Sequence, residues 1–225
     1  ERNYSRVKRT TIVTLVIVLV LILDQWLKVW VKLNMSIGEN FDMLGLDWAK
    51  IYFIENPGMA FGLSFGGTIG KLILSVFRIV MVAVLLYIMR GLIKAKESVS
   101  FLIAFALIIA GAMGNIIDSA FYGLIFSASE YHGGVAEFMP EAGGYAGFLH
   151  GKVVDMFYFP LIDTVLPDWL PIWGGERFQF FRPIFNLADS AITVGVAWIL
   201  LFHRSFFTKS DKKDKAVKEE VVLNS

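Results

Sequence analysis

Residues 99–120 read VSFLIAFALIIAGAMGNIIDSA, and this stretch decides the fold. It contains no charged side chain before Asp118. A helix needs about 20 apolar residues to cross a hydrocarbon layer about 30 Å thick, so the stretch predicts a transmembrane helix. Towards its end, Gly111, Ala112 and Gly114 are small enough to let a second helix pack closely against it.

Three further segments have the same character, at about residues 10–31, 69–90 and 183–203. The chain of 225 residues is 56% hydrophobic and only 18% charged, which is typical of a membrane protein. The first segment also has the basic lead of a signal peptide. No small-residue cleavage site follows it, however, and the apolar pattern continues to Val31. We therefore predict a mainly α-helical membrane protein with four transmembrane helices.

The basic residues outside these spans indicate the orientation of the chain. They concentrate in residues 1–9, in the turn between the second and third spans, and in the tail at 205–225. The positive-inside rule places all three regions, and so both termini, in the cytoplasm. The connections at 32–68 and 121–182 then lie on the outer, periplasmic face. Residues 10–204 are expected to form one membrane domain, and the charged tail is expected to be disordered.

The outer connections show signs of a small sheet with surface loops. The stretch Lys50–Ile54 is β-branched and aromatic, which predicts a strand. Asn56-Pro57-Gly58 has the chemistry of a turn. The Gly-rich residues 132–151 and the Pro- and Trp-rich residues 167–173 are predicted to be loops at the membrane surface.

Two stretches far apart in the chain place an aspartate among apolar residues: Val153–Phe157 around Asp155, and Phe185–Ser190 around Asp189. A carboxylate beside a membrane segment is costly, so such residues often mark a functional site. The second lies six residues after Pro183, close to the outer end of the fourth span. Two carboxylates at one depth could share a proton and activate a water, as in aspartic proteases. Alternatively, each aspartate caps a helix.

Other polar residues in the spans have helical spacing. Asn115 and Asp118 are three residues apart, as are Asn186 and Asp189, so each Asn shares a helix face with an acid. These residues could orient a carboxylate or bind a substrate amide, or they could simply hold helices together.

The first and second spans also carry charged groups. Asp24 and Lys28 are four apart, which predicts a structural ion pair that joins the first span to the outer subdomain. Arg78, inside the second span, needs a partner, which Asp24 or Asp118 could supply.

Several other chemistries are disfavoured. The net charge is +1 and the basic residues form no stripe, so no nucleic acid partner is expected. The absence of cysteine excludes thiolate chemistry. The three histidines lack the spacing of a zinc site, and Ser190 has no histidine or lysine at helical spacing to activate it. We expect no metal and no cofactor. A proton-coupled transporter that uses intramembrane aspartates, or a non-catalytic scaffold, remains as an alternative.

Five motifs occur in order along the chain. They are Asp24-Gln25-Trp26-Leu27-Lys28, Asn56-Pro57-Gly58-Met59-Ala60-Phe61, Gly114-Asn115-Ile116-Ile117-Asp118, Val153-Val154-Asp155 and Phe185-Asn186-Leu187-Ala188-Asp189-Ser190. Together they resemble the ordered motifs of lipoprotein signal peptidase, also called signal peptidase II. The resemblance covers residues 10–204. It implies an aspartic endopeptidase of the bacterial inner membrane with four helices, an outer β-cradle, and a short helix or loop on the membrane surface.

The resemblance also implies roles for particular residues. The catalytic dyad falls on Asp155 and Asp189, and the structural pair on Asp24 and Lys28. Residues that support the dyad or bind substrate fall on Asn56, Gly58, Asn115, Asp118, Asn186 and Ala188. The implied substrate is a diacylglyceryl-modified prolipoprotein, cut just before its lipidated cysteine. Membrane lipid is a further implied partner, and cyclic peptide antibiotics such as globomycin are implied inhibitors.

The chain departs from the family pattern in two ways. Ser119 stands where the family usually has an arginine, and Arg78, Arg177 and Arg182 are candidates to replace that guanidinium. The stretches at 121–152 and 161–182 are longer than expected, which predicts a larger lid or cradle.

Overall fold

A computed structural model describes residues 2–57, 67–131, 133–180, 183–204 and 206. The helices are α1 (Arg2–Asn34), α2 (Gly67–Lys94), α3 (Val99–Ile117), α4 (Gly123–Ile125, a single turn) and α5 (Leu187–Phe202). The strands are β1 (Asn40–Met43), β2 (Leu46–Asn56), β3 (Val153–Tyr158), β4 (Ile162–Val165), β5 (Arg177–Phe180) and β6 (Ile184–Phe185). A π-helical turn, Asp118–Tyr122, connects α3 to α4.

Among these residues, three helices are long and apolar enough to cross a membrane, which confirms the first three predicted spans. The fourth prediction was wrong at its start. Residues 184–185 form β6, and the helix begins only at Leu187, because Asn186 caps it. Helix α5 is apolar but has 16 residues, fewer than the usual span.

Helix α3 lies at the centre of the bundle and packs against α1, α2 and α5. Its closest neighbour is α5, and the approach depends on glycine. A Cβ atom at Gly111 would lie 2.2 Å from the backbone oxygen of Ala188, and one at Gly195 would lie 2.5 Å from that of Ala104. Gly111, one of the small residues predicted in span three, therefore faces α5.

The strands form a sheet at one end of the bundle, which we call the sheet side. Its antiparallel order is β1-β2-β3-β6, and β4 and β5 form a separate hairpin. The strand predicted at Lys50–Ile54 is confirmed as part of β2, which runs on through Asn56, and the predicted turn continues from Gly58 outside the described residues. Val154 and Met156 of β3 are fully buried with Phe53 of β2 and Val31 of α1, and this apolar cluster fixes the sheet to the bundle.

Gly111→Ala tests the contact between α3 and α5. The added methyl group would collide with backbone that cannot rotate away, so α5 must move, at a cost of about 1 to 3 kcal/mol. We expect a lower Tm in detergent, followed by tryptophan fluorescence. Gly91→Ala in α2 is the control, because a Cβ atom there meets nothing within 4 Å. Equal Tm values for the two variants would contradict the packing described here.

Candidate active site

Asp155 lies in the middle of β3, where it pairs with Ile54 of β2 and is 3% exposed. Strand alternation turns it away from the apolar cluster that receives Val154 and Met156. Its carboxylate accepts a hydrogen bond from the Asn186 amide at 2.7 Å and another from the side chain of Asn56. The sheet therefore presents this acid to the beginning of α5.

Asp189 lies in the first turn of α5. Its carboxylate accepts the backbone N–H of Asn186 at 3.4 Å, while the Asn186 side chain accepts the backbone N–H of Asp189 at 2.9 Å. This is a capping box. The Asn115 amide also donates to the Asp189 carboxylate at 2.8 Å. Asp189 thus caps its helix, as the alternative interpretation expected, and also faces α3.

Asn186 brings the two acids together. It is fully buried, and it hydrogen bonds Asp155 through its side chain and Asp189 through its backbone. Burial, and next the charge of Asp189, raise the pKa of Asp155 to about 7, although the hydrogen bonds from Asn186 and Asn56 act against this rise. Asp155 can therefore hold a proton near neutral pH.

The buried ammonium group of Lys28 organises the residues behind this pair. It lies 3.0 Å from the Asp24 carboxylate, 2.9 Å from that of Asp118 and 2.9 Å from the Asn115 side-chain oxygen. The predicted ion pair is confirmed. The pair contacts the end of α3 directly, and it reaches the outer sheet only through Asp118.

The two carboxylates bound by Lys28 each hold the backbone next to one of the paired acids. Asp24 accepts the N–H of Ala188 at 2.9 Å, and Asp118 accepts the N–H of Val154 at 3.2 Å. These residues immediately precede Asp189 and Asp155. The same cation therefore fixes the chain on both sides of the site.

Gln25 and Tyr122 complete this network, and the sequence analysis gave them no role. The Gln25 amide donates to Asp118 at 2.9 Å and to Asp24 at 3.1 Å, and the Tyr122 hydroxyl donates to the Gln25 oxygen at 3.1 Å. The signal for Gln25 was an amide beside an acid within an apolar span. For Tyr122 no signal existed, because the π-helical turn that places it is not readable from spacing.

A second buried cation, Lys32, makes the attachment that had been expected of Asp24 and Lys28. It forms an ion pair with Glu55 of β2 and donates to Ser129 at 2.8 Å, while Lys152 contacts Glu55 at 3.0 Å. Burial acts to raise the pKa of Glu55, but the two ammonium groups outweigh it and the pKa is lowered. The missed signal was helical spacing, since Lys32 lies one turn beyond Lys28 on α1.

The structure ranks the arginines proposed to replace the missing one. Arg78 is partly buried on α2, and the carboxylates that act on its charge are those of Asp189, Asp155 and Asp118. Asp118, one of its two predicted partners, is among them. The Ser119 hydroxyl donates to the backbone oxygen of Asn115 at 3.0 Å, so it stays on its own helix.

The other candidates lie elsewhere. Arg177 is exposed on β5. Arg182 and Gly58 lie outside the described residues, as do residues 207–225 of the predicted tail. The part of the chain that the structure describes contains no group of three or more His, Asp or Glu side chains arranged for a metal ion.

The chain is similar to a known protein family and to individual proteins. The family model described as Signal peptidase (SPase) II matches residues 16–206. A lipoprotein signal peptidase of Porphyromonas gingivalis is 51% identical over 172 residues, which are 76% of this chain and 73% of that protein. One from Amoebophilus asiaticus is 36% identical over 189 residues, 83% of this chain and 75% of its own length.

Two solved structures share the fold. Both are described as bacterial membrane enzymes determined by the in meso method. The first has a TM-score of 0.55 and 23% identity, and covers 89% of this chain and 90% of its own. The second has a TM-score of 0.53 and 26% identity, and covers 84% of this chain and 90% of its own.

Lys28→Met tests the network behind the acids. It would leave Asp24 and Asp118 buried without their cation, and removing one partner of a buried ion pair costs about 3 to 5 kcal/mol. We expect a large fall in Tm, measured in detergent. Lys50→Met is the matched control, because Lys50 pairs with Asp42 at the surface, with the two side chains 27% and 40% exposed. Similar Tm values for the two variants would show that Lys28 is not the centre of the network.

Proposed function

The chain belongs to the signal peptidase II family, and from that premise we propose that Asp155 and Asp189 are its catalytic dyad. Members of this family are aspartic membrane peptidases, and this one removes signal peptides from prolipoproteins. The family assignment decides against the transporter and scaffold alternatives. The observation that carries the dyad proposal is the shared partner, since Asn186 hydrogen bonds both carboxylates.

The environment of each acid supports a division of labour. Asp155 is buried and its pKa is raised to about 7, which suits it to the role of the acid that donates a proton. Asp189 is oriented by Asn115 and by the backbone of Asn186, and it acts as the base.

The reaction then follows from these roles. A water between the carboxyl groups gives its proton to Asp189 while its oxygen attacks the scissile carbonyl carbon. Asp155 donates its proton to the carbonyl oxygen, which forms a neutral tetrahedral intermediate. When the carbon–nitrogen bond breaks, the proton on Asp189 passes to the leaving amine, and Asp155 takes back a proton from a hydroxyl group of the intermediate, which becomes the new carboxyl group. The charge of the partly buried Arg78 interacts with both acids, and a nearby cation favours the ionised form of a carboxyl group.

The depth of the site fits a substrate held by acyl chains. Helix α5 has 16 residues and is about 24 Å long, less than a hydrocarbon layer of about 30 Å. If its far end reaches the opposite surface, Asp189 lies slightly below the membrane surface on the sheet side. We propose that the diacylglyceryl chains lie against the helices there, and that the peptide is cut before the lipidated cysteine.

The location of the enzyme is also proposed. The distribution of basic residues supports the bacterial inner membrane with both termini in the cytoplasm and the dyad near the outer face. Residues 10–204 would form the peptidase domain, with a cytoplasmic tail beyond it. The resemblance to the family supports inhibition by cyclic peptides such as globomycin, which would compete with substrate for the dyad.

Replacing either acid tests the dyad directly. Asp155→Asn and Asp189→Asn should each reduce cleavage of a diacylglyceryl-modified prolipoprotein in proteoliposomes by at least about 10³-fold, because each variant lacks an acid or a base. Asp42→Asn, at an exposed carboxylate of β1, should cleave like the wild type. Near-normal cleavage by either dyad variant, with normal folding, would refute the assignment.

The raised pKa of Asp155 also predicts how stability depends on pH. An aspartate in the unfolded chain ionises at about pH 4, whereas Asp155 in the folded protein ionises at about 7. Between these values the folded state binds more protons, so this group favours folding less as the pH rises. The Tm of Asp155→Asn minus that of the wild type should therefore increase from about pH 4 to about pH 7 and then level off.

A series of Tm measurements across this pH range makes the test. A difference that stays constant with pH would mean that burial does not hold a proton on Asp155.

A further inference from the structure

A surface hairpin lies in the chain between β3, which carries Asp155, and α5, which carries Asp189. Strands β4 and β5 pair with each other, from Ile162 opposite Phe180 to Val165 opposite Arg177, and a loop at 166–176 connects them. We call residues 161–180 the β4–β5 hairpin. Within the described chain, its strands form a two-stranded sheet separate from the sheet that holds Asp155.

This hairpin exposes an unusual amount of apolar surface. Trp169 is 78% exposed and Ile172 is 75% exposed, and Leu161, Val165, Trp173 and Phe180 are each more than half exposed. A concentration of exposed apolar side chains on one element favours contact with another apolar surface. Tryptophan in particular is enriched at the boundary between lipid and water, where its ring is apolar and its N–H can still reach a polar group.

Hydrogen bonds within the connecting loop satisfy many of its backbone N–H and C=O groups. The N–H of Leu166 donates to Glu176 at 2.9 Å, that of Gly175 to Leu166 at 3.0 Å, and that of Leu170 to Pro167 at 3.1 Å. Pro167 and Pro171 have no N–H to satisfy. An internally bonded loop can enter a poorly hydrated layer at little cost, whereas an open loop would lose hydrogen bonds to water.

The hairpin lies next to the membrane-facing surface of the bundle. It leaves the sheet after β3 and returns at β6, whose last residue is two before the start of α5. The residues of α5 that are exposed include Val194, Val196 and Leu200, the surface of a helix that contacts lipid. The base of the hairpin therefore lies where the membrane surface meets the sheet side of the bundle.

We propose that the β4–β5 hairpin inserts its loop into the interfacial layer of the bilayer on the sheet side, with Trp169, Ile172 and Trp173 as the membrane contacts. The partner is the lipid surface itself, and the attraction is apolar. Residues 161–180 contain Asp163, Asp168 and Glu176 against one Arg177, so anionic headgroups are not attracted to them. Binding should accordingly occur in zwitterionic lipid and be insensitive to salt.

The insertion has a consequence for the enzyme that rests on the proposed function. The hairpin connects the strand of Asp155 to the helix of Asp189, so its anchoring sets the height of the dyad relative to lipid. A substrate tethered by acyl chains presents its scissile bond at a fixed depth. The β4–β5 hairpin is therefore a positioning device for membrane-borne substrate, and it contacts none of the reacting atoms.

The absence of cysteine allows a direct test of insertion. Ile172→Cys is labelled with the environment-sensitive dye NBD, and the protein is reconstituted in phosphatidylcholine vesicles. The dye should then emit at a shorter wavelength than the same dye does in buffer without detergent. Lipids that carry a spin label near the headgroup should quench the fluorescence of this dye to the same extent at low and high salt. Glu141→Cys, an exposed position in the other long connection, is the control and should be quenched by aqueous iodide.

Two results of this experiment would overturn the proposal. The first is iodide quenching at Ile172→Cys equal to that at Glu141→Cys, which would place the loop in water. The second is protection of the dye from iodide when the lipid label does not quench it either. If this protection rises with protein density, the surface belongs to a contact with a second copy of the chain.

A paired activity measurement tests the consequence. The double variant Trp169→Ser with Trp173→Ser should raise KM severalfold for lipidated substrate in vesicles, while kcat/KM in detergent micelles stays at the wild-type value. Tyr131→Ser, at a residue 70% exposed outside the hairpin, should change neither. Equal activity of double variant and wild type in vesicles would remove the positioning role. No cleavage by the wild type in either medium would instead contradict the proposed function and leave the labelling result intact.

Discussion

The arrangement of the site depends on one buried cation. The Lys28 ammonium group is bound by Asp24, Asp118 and Asn115, which come from α1 and α3. A charge at this depth is stable only with such partners, so the partners cannot move independently. Because Asp24 and Asp118 also hold the backbone N–H groups of Ala188 and Val154, the position of Lys28 is transmitted to α5 and to β3.

Close helix packing and the polar network require each other. Gly111 lets α5 approach α3, and Gly114 lets α1 approach it so closely that a side chain at Gly114 would meet the Asp24 carboxylate at 2.6 Å. At that distance Asn115 reaches both Lys28 and Asp189, and Asn186 reaches Asp155. All buried side-chain nitrogen and oxygen atoms of the described residues have a hydrogen-bond partner. Such a fully satisfied network holds the acids rigidly in a poorly hydrated place.

Much of this was readable from the sequence, because hydropathy determines membrane spans and helical spacing determines which polar residues share a face. The first three spans, the Asp24 and Lys28 pair and the strand at Lys50–Ile54 follow from local patterns. The start of α5 does not, since a capping box at Asn186 overrides the apolar pattern that begins at Pro183. The ion pair between Lys32 and Glu55, and the direction in which Arg78 points, depend on tertiary contacts that no spacing encodes.

The proposed mechanism requires that the carboxyl groups of Asp155 and Asp189 share one site, so that the charge of one affects the pKa of the other. Infrared spectroscopy of the carboxylic acid band, with Asp155→Asn to identify it, measures the pKa of Asp155 in the folded protein. The pKa should be about 7 in the wild type, and it should fall in Asp189→Asn, because that substitution removes the neighbouring charge that helps to raise it. An unchanged pKa in Asp189→Asn would mean that the two carboxyl groups do not share a site.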